Sequence, residues 1–430
     1  MSILRSLNTG AAGLNAHGRA IGVAGDNIAN VNTNGFKGSR AVFQDILGGS
    51  VAEGTAPTPG AGSRLSHIEQ MWSQGALLTT ESPTDLALSG DGFFVVNGTV
   101  GGQTGNYYTR AGQFQIDVDG ELSSVDGLKV QGYGINDDGT LGSTVGNLLV
   151  AGQTIPAQTT TTADLAIQLD SEATVPAAWD PSNAETTSNF STSMTAYDSL
   201  GDAHDLTVYF RNSGANSWEW HALVDGGSVT GGTAGTPFEG ANGTLTFTTD
   251  GRLDTETPGV SSWNFLGATA GQTIAFDFGD AITTDLGTGI AATTQFATPS
   301  SVTGLSQNGF GAGSVAGINV EGDGTITGVF TNGQRRNLGQ VAVARFTSND
   351  GLNRNGQGLF VETQASGEAL LGAAESGGRG SVVSGALEQS NVDIGQEFVN
   401  LISFQRGFQA NSRVITTADE MYTELVNLKR

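Results

Sequence analysis

Apolar residues recur at heptad spacing at both extreme ends of this chain, and that spacing constrains its fold more than any other feature. From Leu4 onward, apolar or small residues fall at 4, 7, 11, 14, 18, 21, 25 and 28. Leu7, Leu14, Ile21 and Ile28 form one row, and Leu4, Ala11, Gly18 and Gly25 form its neighbour. A repeat of this kind sets one stripe of a helix against a partner helix. One row is bulky and the other small, so the partner can approach closely. The helix is intrinsically poor, because Gly10, Gly13, Gly18, Gly22 and Gly25 each weaken it by about 1 kcal/mol relative to alanine. Such a segment is expected to be ordered only when packed.

The other end carries the matching signal. Asn391 or Asp393 is placed to cap a helix whose stripe runs Ile394, Phe398, Leu401, Phe408, Ile415 and Tyr422. A second row, Val414, Ala418, Met421, Leu425 and Leu428, takes over toward the end, as a stripe does when it drifts around a helix. Lys429 and Arg430 suit the C-terminal end of the helix dipole. Heptads at both ends favour pairing of the two helices and assembly with other copies over one amphipathic helix lying on its own core.

Between the helices the texture is β. Apolar residues alternate at Phe114, Ile116 and Val118, at Leu206, Val208 and Phe210, at Leu245 and Phe247, and at Val341 and Val343. Turn dipeptides punctuate the chain at Asp91-Gly92, Asp119-Gly120, Asp138-Gly139, Asn242-Gly243, Asp250-Gly251, Asp323-Gly324, Asn332-Gly333 and Asp350-Gly351. The 65 glycines against 9 prolines in 430 residues fit many short strands joined by tight turns. The fold class read from this is α+β, mainly β: terminal helices pairing as a coiled coil, with antiparallel β domains inserted between them. The expected organisation is a terminal coiled-coil domain (1–30 and 390–430), a connecting segment (31–75), an inner β domain (76–150 and 312–389) and an outer acidic β domain (151–311). Within the connecting segment, Val51 to Pro59 reads as flexible.

Charge separates that acidic domain from the rest. The chain carries 18 Lys+Arg against 42 Asp+Glu, a net charge of -24. Such a chain repels nucleic acid and anionic lipid, so neither is expected as a partner. Residues 151–311 hold 17 Asp+Glu but only Arg211 and Arg252 as basic residues, and they also hold Trp179, Trp218, Trp220 and Trp263. No cysteine occurs, which removes thiolate metal sites, Cys nucleophiles and disulfides together. The first ten residues lack the apolar core of a cleavable signal, and no transmembrane run is visible, so the simplest expectation is a cytosolic protein or one exported by an unconventional route.

Catalytic patterns are missing. There is no Gly-Lys pair for a Walker-type phosphate loop and no H-E-x-x-H, and His17, His67, His204 and His221 are scattered. Asp198, Asp202, His204 and Asp205 form the densest polar cluster. Carboxylates and imidazole at such spacing suit a cation, but Ser199-Leu200-Gly201-Asp202 reads better as a hairpin turn. Acidic glycine-rich pieces such as Glu321-Gly322-Asp323-Gly324 have no fixed period and so make no calcium repeat. No catalytic residue, cofactor site or metal site is expected.

One stretch is far more specific. Asn27, Ile28, Asn30, Asn32, Asn34, Gly35, Phe36 and Lys37 lie in Asn-Ile-Ala-Asn-Val-Asn-Thr-Asn-Gly-Phe-Lys, which resembles the signature of the axial proteins of the bacterial flagellum, its rod and hook subunits. Gly90-Asp-Gly-Phe-Phe-Val-Val, Tyr108-Thr-Arg-Ala-Gly-Gln-Phe and Gly385-Ala-Leu-Glu-Gln-Ser-Asn-Val-Asp-Ile394 are similar to further blocks of that family. Physically, the Asn and Gly residues supply the turn that ends the first helix at about Ile28. The large insert resembles hook subunits, with the distal rod subunit as the alternative.

The resemblance implies a structural subunit polymerising into a curved tube that joins rod to filament and transmits torque. It implies as partners other copies of the chain, the distal rod protein, the hook-filament junction protein, the hook cap protein and the type III export apparatus, and a location in the extracellular flagellum. The assembly interface is then expected at Leu4, Leu7, Leu14, Ile21, Ile28, Phe398, Leu401, Phe408, Ile415, Met421, Leu425 and Leu428. Two readings of other classes stand beside it. A secreted acidic adhesin shares the β texture but has no need of terminal heptads, and a glycan-active enzyme needs paired acids in a cleft.

Overall fold

Two long helices bracket the chain in the computed structural model, which describes residues 2–47, 60–136, 139–291 and 293–427. They are α1 (Ser2–Ala29) and α2 (Ile394–Asn427), and they pack against each other. The expected flexible stretch 51–59, Asp138, Leu428, Lys429 and Arg430 lie outside the described residues. Asp393 caps α2, its Oδ1 accepting from Gln396 N at 2.9 Å. Asn391, the other candidate cap, bonds away from the helix instead. Its Oδ1 accepts from Gly38 N at 2.8 Å and its Nδ2 donates to Met71 O at 2.8 Å. At the end of α1, Asn30 Nδ2 donates to Asp26 O at 2.9 Å and its backbone N–H also returns to Asp26 O.

After α1 the chain forms a hairpin of β1 (Ser39–Leu47) and β2 (Gly60–Gln70), paired antiparallel from Ser39↔Gln70 to Leu47↔Gly60 with two register shifts. Both strands contact α1. From its sequence this stretch is expected to be only a connector. Few of the hairpin's described residues are buried, so it lacks the alternation that announces a half-buried strand.

The chain divides into two compact units. The first comprises Met1–Gln153, Val315–Val329 and Arg335–Arg430. In its sheet, Phe93–Val100 pairs antiparallel with Gln103–Thr109, Lys129–Ile135 and Arg335–Arg345. Phe93, Val95, Tyr108, Ala344, Phe346, Leu352 and Phe360 form one buried cluster there. Val118, expected to continue the strand Phe114–Ile116, sits in the following turn and is fully exposed, because Asp117 Oδ1 accepts from Asp119 N and Glu121 N and closes the chain on itself.

The second unit comprises Thr154–Ser314 and Phe330–Gln334. Phe190–Tyr197, Ala203–Gly214, Ser217–Asp225, Pro237–Phe247 and Leu253–Ser261 form an antiparallel meander in sequence order. Leu206, Val208 and Phe210 alternate inward with Trp218, Trp220, Leu245 and Phe247. Pairing is not antiparallel throughout, since Thr162–Asp170 runs parallel to both Ala275–Asp277 and Thr294–Phe296. Asn242-Gly243 is not a turn but lies inside the strand Pro237–Phe247. A Cβ on Gly243 would stand 2.5 Å from Thr257 O and 2.6 Å from Trp220 Nε1, so the glycine admits both the neighbouring strand's carbonyl and the indole.

Candidate assembly interface

The α1–α2 seam is built from small residues. Gly10, Gly13, Ala16, Ala20 and Ala24 are buried positions of α1, one step around the helix from the heptad rows read in the sequence. A Cβ built on Gly13 would lie 2.5 Å from Asn411 Oδ1, and one on Gly10 would lie 3.0 Å from Ile415 Cγ1. On the other side, a Cβ on Gly407 would meet the His17 ring at 2.6 Å. Two glycines of α1 and one of α2 therefore set how close the helices come. His17 also lies beside Phe43 and Phe404, at ring-centre distances of 5.3 and 6.3 Å, tying the β1 strand to the pair.

Large apolar residues are correspondingly left over. Leu7, Leu14, Ile21, Ile28, Leu401, Phe408 and Ile415 are half-buried between the helices and solvent. Leu4, Phe398, Met421 and Leu425 are 63%, 48%, 48% and 55% exposed, and Ile394, Val399, Ile402 and Val426 share their exposure. Leu428 lies outside the described residues. Exposed Ile394, Phe398 and Ile402 near the start of this 34-residue helix, and Met421 and Leu425 near its end on the opposite side, are apolar patches that one protomer does not cover.

Most residues of the motif at the end of α1 are engaged in contacts within the chain. Asn27 is buried and makes a reciprocal amide pair with Ser39, donating to its carbonyl at 2.7 Å and accepting from its N–H at 2.8 Å. This clamps the helix end to the start of β1. Gly35 holds φ +69°, and a Cβ there would lie 2.5 Å from Ala111 N, so only glycine fits. Phe36 is buried under the Arg354 guanidinium, 5.1 Å from its ring centre. Lys37 is buried and pairs with Glu388 at 2.6 Å, and Glu388 also takes Arg110 at 3.2 Å. Burial pulls the Lys37 ammonium below its ordinary value and the Glu388 charge opposes it. Asn32 is exposed and Asn34 half-buried.

The Asp198 cluster is a turn. Asp198 is fully buried, its Oδ1 accepting from Leu200 N and Asp202 N at 2.8 and 3.0 Å and its Oδ2 meeting His204 Nε2 at 3.0 Å. Burial would raise this carboxyl, and the His204 and backbone hydrogen bonds outweigh it and hold it below its ordinary value. His204 stacks on Phe265 at 3.8 Å. No group of residues suited to a metal occurs among the described residues, and no helix among them is long and apolar enough to cross a membrane.

Residues 87–175 match the model of the flagellar hook protein FlgE/F/G D1 domain, and residues 168–310 that of the flagellar basal body protein FlaE D2 domain. Residues 7–37 match the flagella basal body rod protein, and 383–428 the C-terminal part of the flagellar basal body rod FlgEFG protein. The chain is 34% identical to the flagellar hook protein FlgE of Salmonella typhimurium over 432 residues, covering 99% of this chain and 100% of that one. The chain belongs to the flagellar hook protein family. The hook protein FlgE of Escherichia coli is 35% identical over 434 residues, covering 97% of this chain and 98% of its own. A solved structure, the hook protein FlgE2 of Helicobacter pylori, matches with a TM-score of 0.49 and 16% identity over 73% of this chain and 100% of that one.

For a hook-family chain, the residues hardest to find in the sequence are Arg110 and Glu388. Both stand inside blocks that resemble the family, but nothing local says that they meet Lys37 across the fold. The one available signal is rarity, since Lys37 is one of three lysines, with Lys129 and Lys429.

Proposed function

We infer that this chain is the structural subunit of the flagellar hook, a curved tube that joins rod to filament and carries torque, and that its terminal helices are the layer through which copies hold one another. Full-length similarity to hook proteins supports the first part. The exposed apolar patches around Phe398 and around Met421 and Leu425 are the observation that carries the second, because uncovered apolar surface on two sides of one helix is satisfied by other copies packing on it. The heptad residues from Leu4 to Ile28 and from Phe398 to Leu428 form this interface, the motif from Asn27 to Lys37 fixing where the first helix leaves it.

The second unit, rich in carboxylates, faces solvent in the polymer and makes small, wet contacts that exchange as the tube bends. The distal rod protein, junction protein and cap protein meet the polymer at its ends, and the subunit reaches it through the type III export apparatus. The chain has a mechanical role and no catalytic one. Electron microscopy of the concentrated protein tests this reading. Tubes are expected, and particles that stay single at all concentrations contradict it.

A further inference from the structure

We propose that Glu388 is a positioning residue, the joint that holds both terminal helices at a fixed angle to the β-sheet of their own unit. This deepens the hook reading and depends on α1 and α2 bearing load, as proposed above. Glu388 ends the strand Ala386–Glu388, shortly before the Asp393 cap of α2. Its Oε1 accepts from Lys37 Nζ at 2.6 Å and from Gly75 N at 2.9 Å, its Oε2 accepts from Arg110 Nη1 at 3.2 Å, and its backbone carbonyl accepts from Gly35 N at 2.7 Å. Lys37 Nζ donates onward to Ser73 O at 2.8 Å and Arg110 Nη2 to Gly90 O at 2.7 Å. The exit from α1, the lead into α2 and two turns of the β region thus converge on one carboxylate.

These groups are cut off from water, with side-chain exposures of 0% for Glu388, 1% for Lys37 and 6% for Arg110. Burial pulls the Arg110 guanidinium below its ordinary value, while the charges of Glu388 and Asp91 oppose it. Arg110 also lies 5.4 Å from the Phe93 ring centre, which joins the cluster to the buried core. Buried ion pairs seldom stabilise a fold more than apolar side chains of the same volume. Stability alone therefore leaves the ionic choice unexplained. What charge-assisted hydrogen bonds add is direction, since they fix angles where apolar contacts allow neighbouring packings. A joint between load-bearing helices and a sheet needs that property.

Two variants separate a positioning role from a merely stabilising one. Glu388→Gln leaves two buried cations facing a neutral amide, and its monomer should melt about 10 °C lower. The triple variant Lys37→Met, Arg110→Met, Glu388→Met removes the charges together, and its melting should return to within about 3 °C of wild type. Hooks built from the triple variant should nonetheless differ in curvature by electron microscopy, with loss of most swimming. Wild-type hook shape and swimming from that variant overturn the proposal and leave the trio as a stability element. Should the triple variant not fold, Lys37→Arg carries the test, because it keeps the charge and moves it. Folded Lys37→Arg protein with altered hooks supports the proposal, and unaltered hooks overturn it. If the wild-type chain forms no tubes, the hook reading fails instead, which is a different result.

Discussion

The terminal helices and the second unit treat their large side chains in opposite ways. The helix pair buries Gly10, Gly13, Ala16, Ala20 and Ala24 and leaves Phe398, Met421 and Leu425 exposed. The second unit buries Trp218, Trp220, Trp263, Phe210 and Phe278 almost completely and keeps most of its carboxylates outside. One region completes its core with its own residues, and the other leaves large apolar side chains uncovered. In a protein that polymerises, burial in the protomer therefore marks what holds the subunit together. On the reading proposed above, exposure of large apolar groups marks what holds subunits to each other.

The largest effect on the protomer should come from emptying the completed core. Trp218→Ala is expected to lower the stability of the second unit by about 3–5 kcal/mol, read by denaturant unfolding followed by circular dichroism. Next comes the helix seam. Gly13→Leu should weaken α1–α2 pairing by about 1–3 kcal/mol, because its side chain must displace Asn411. Gly22 has nothing within 4 Å of a built Cβ, so Gly22→Ala is the control and should strengthen the helix. Hydrogen exchange across residues 10–24 distinguishes the two.

A smaller effect is expected from pH. Burial would raise the Glu239 carboxyl, but hydrogen bonds from His221, Trp179 and Asn242, with the His221 charge, outweigh it and hold it down at about 2. A carboxylate held below its ordinary 4.5 contributes stability that is full above that value and is lost as pH falls toward about 2. Allowing for its partly solvated setting, the loss should be about 1–2 kcal/mol. Thermal melts across that range should show it, and Glu239→Gln should flatten the difference.

Much of this division was legible in the sequence, and the failures have physical causes. The helices announced themselves by period, but the heptad rows pointed to the large residues, whereas glycine and alanine take the intrachain seam. On the assembly reading proposed above the two are compatible, because a helix with two partners carries two stripes. Alternation placed Leu206, Val208 and Phe210 correctly, since that strand is buried on one face only. It missed β1 and β2, whose faces are both largely open. Asp198, grouped by sequence with the solvated Asp202 and Asp205, proved to be the buried acceptor of its own turn, so its neutralisation is a structural change and theirs a surface one. The Lys37–Glu388 contact spans the whole fold, and no local pattern reaches that far.

The contrast between the two regions is tested most directly by Phe398→Ser, Met421→Ser and Leu425→Ser combined. Each side chain is already about half exposed in the protomer, so the monomer's unfolding free energy should change by less than about 0.5 kcal/mol per site. Polymerisation, followed by sedimentation and electron microscopy of the same preparation, should be abolished. Monomer stability unchanged with no tubes is the expected result. Normal tubes from this variant would contradict the assignment of these exposed helix residues to contacts between copies.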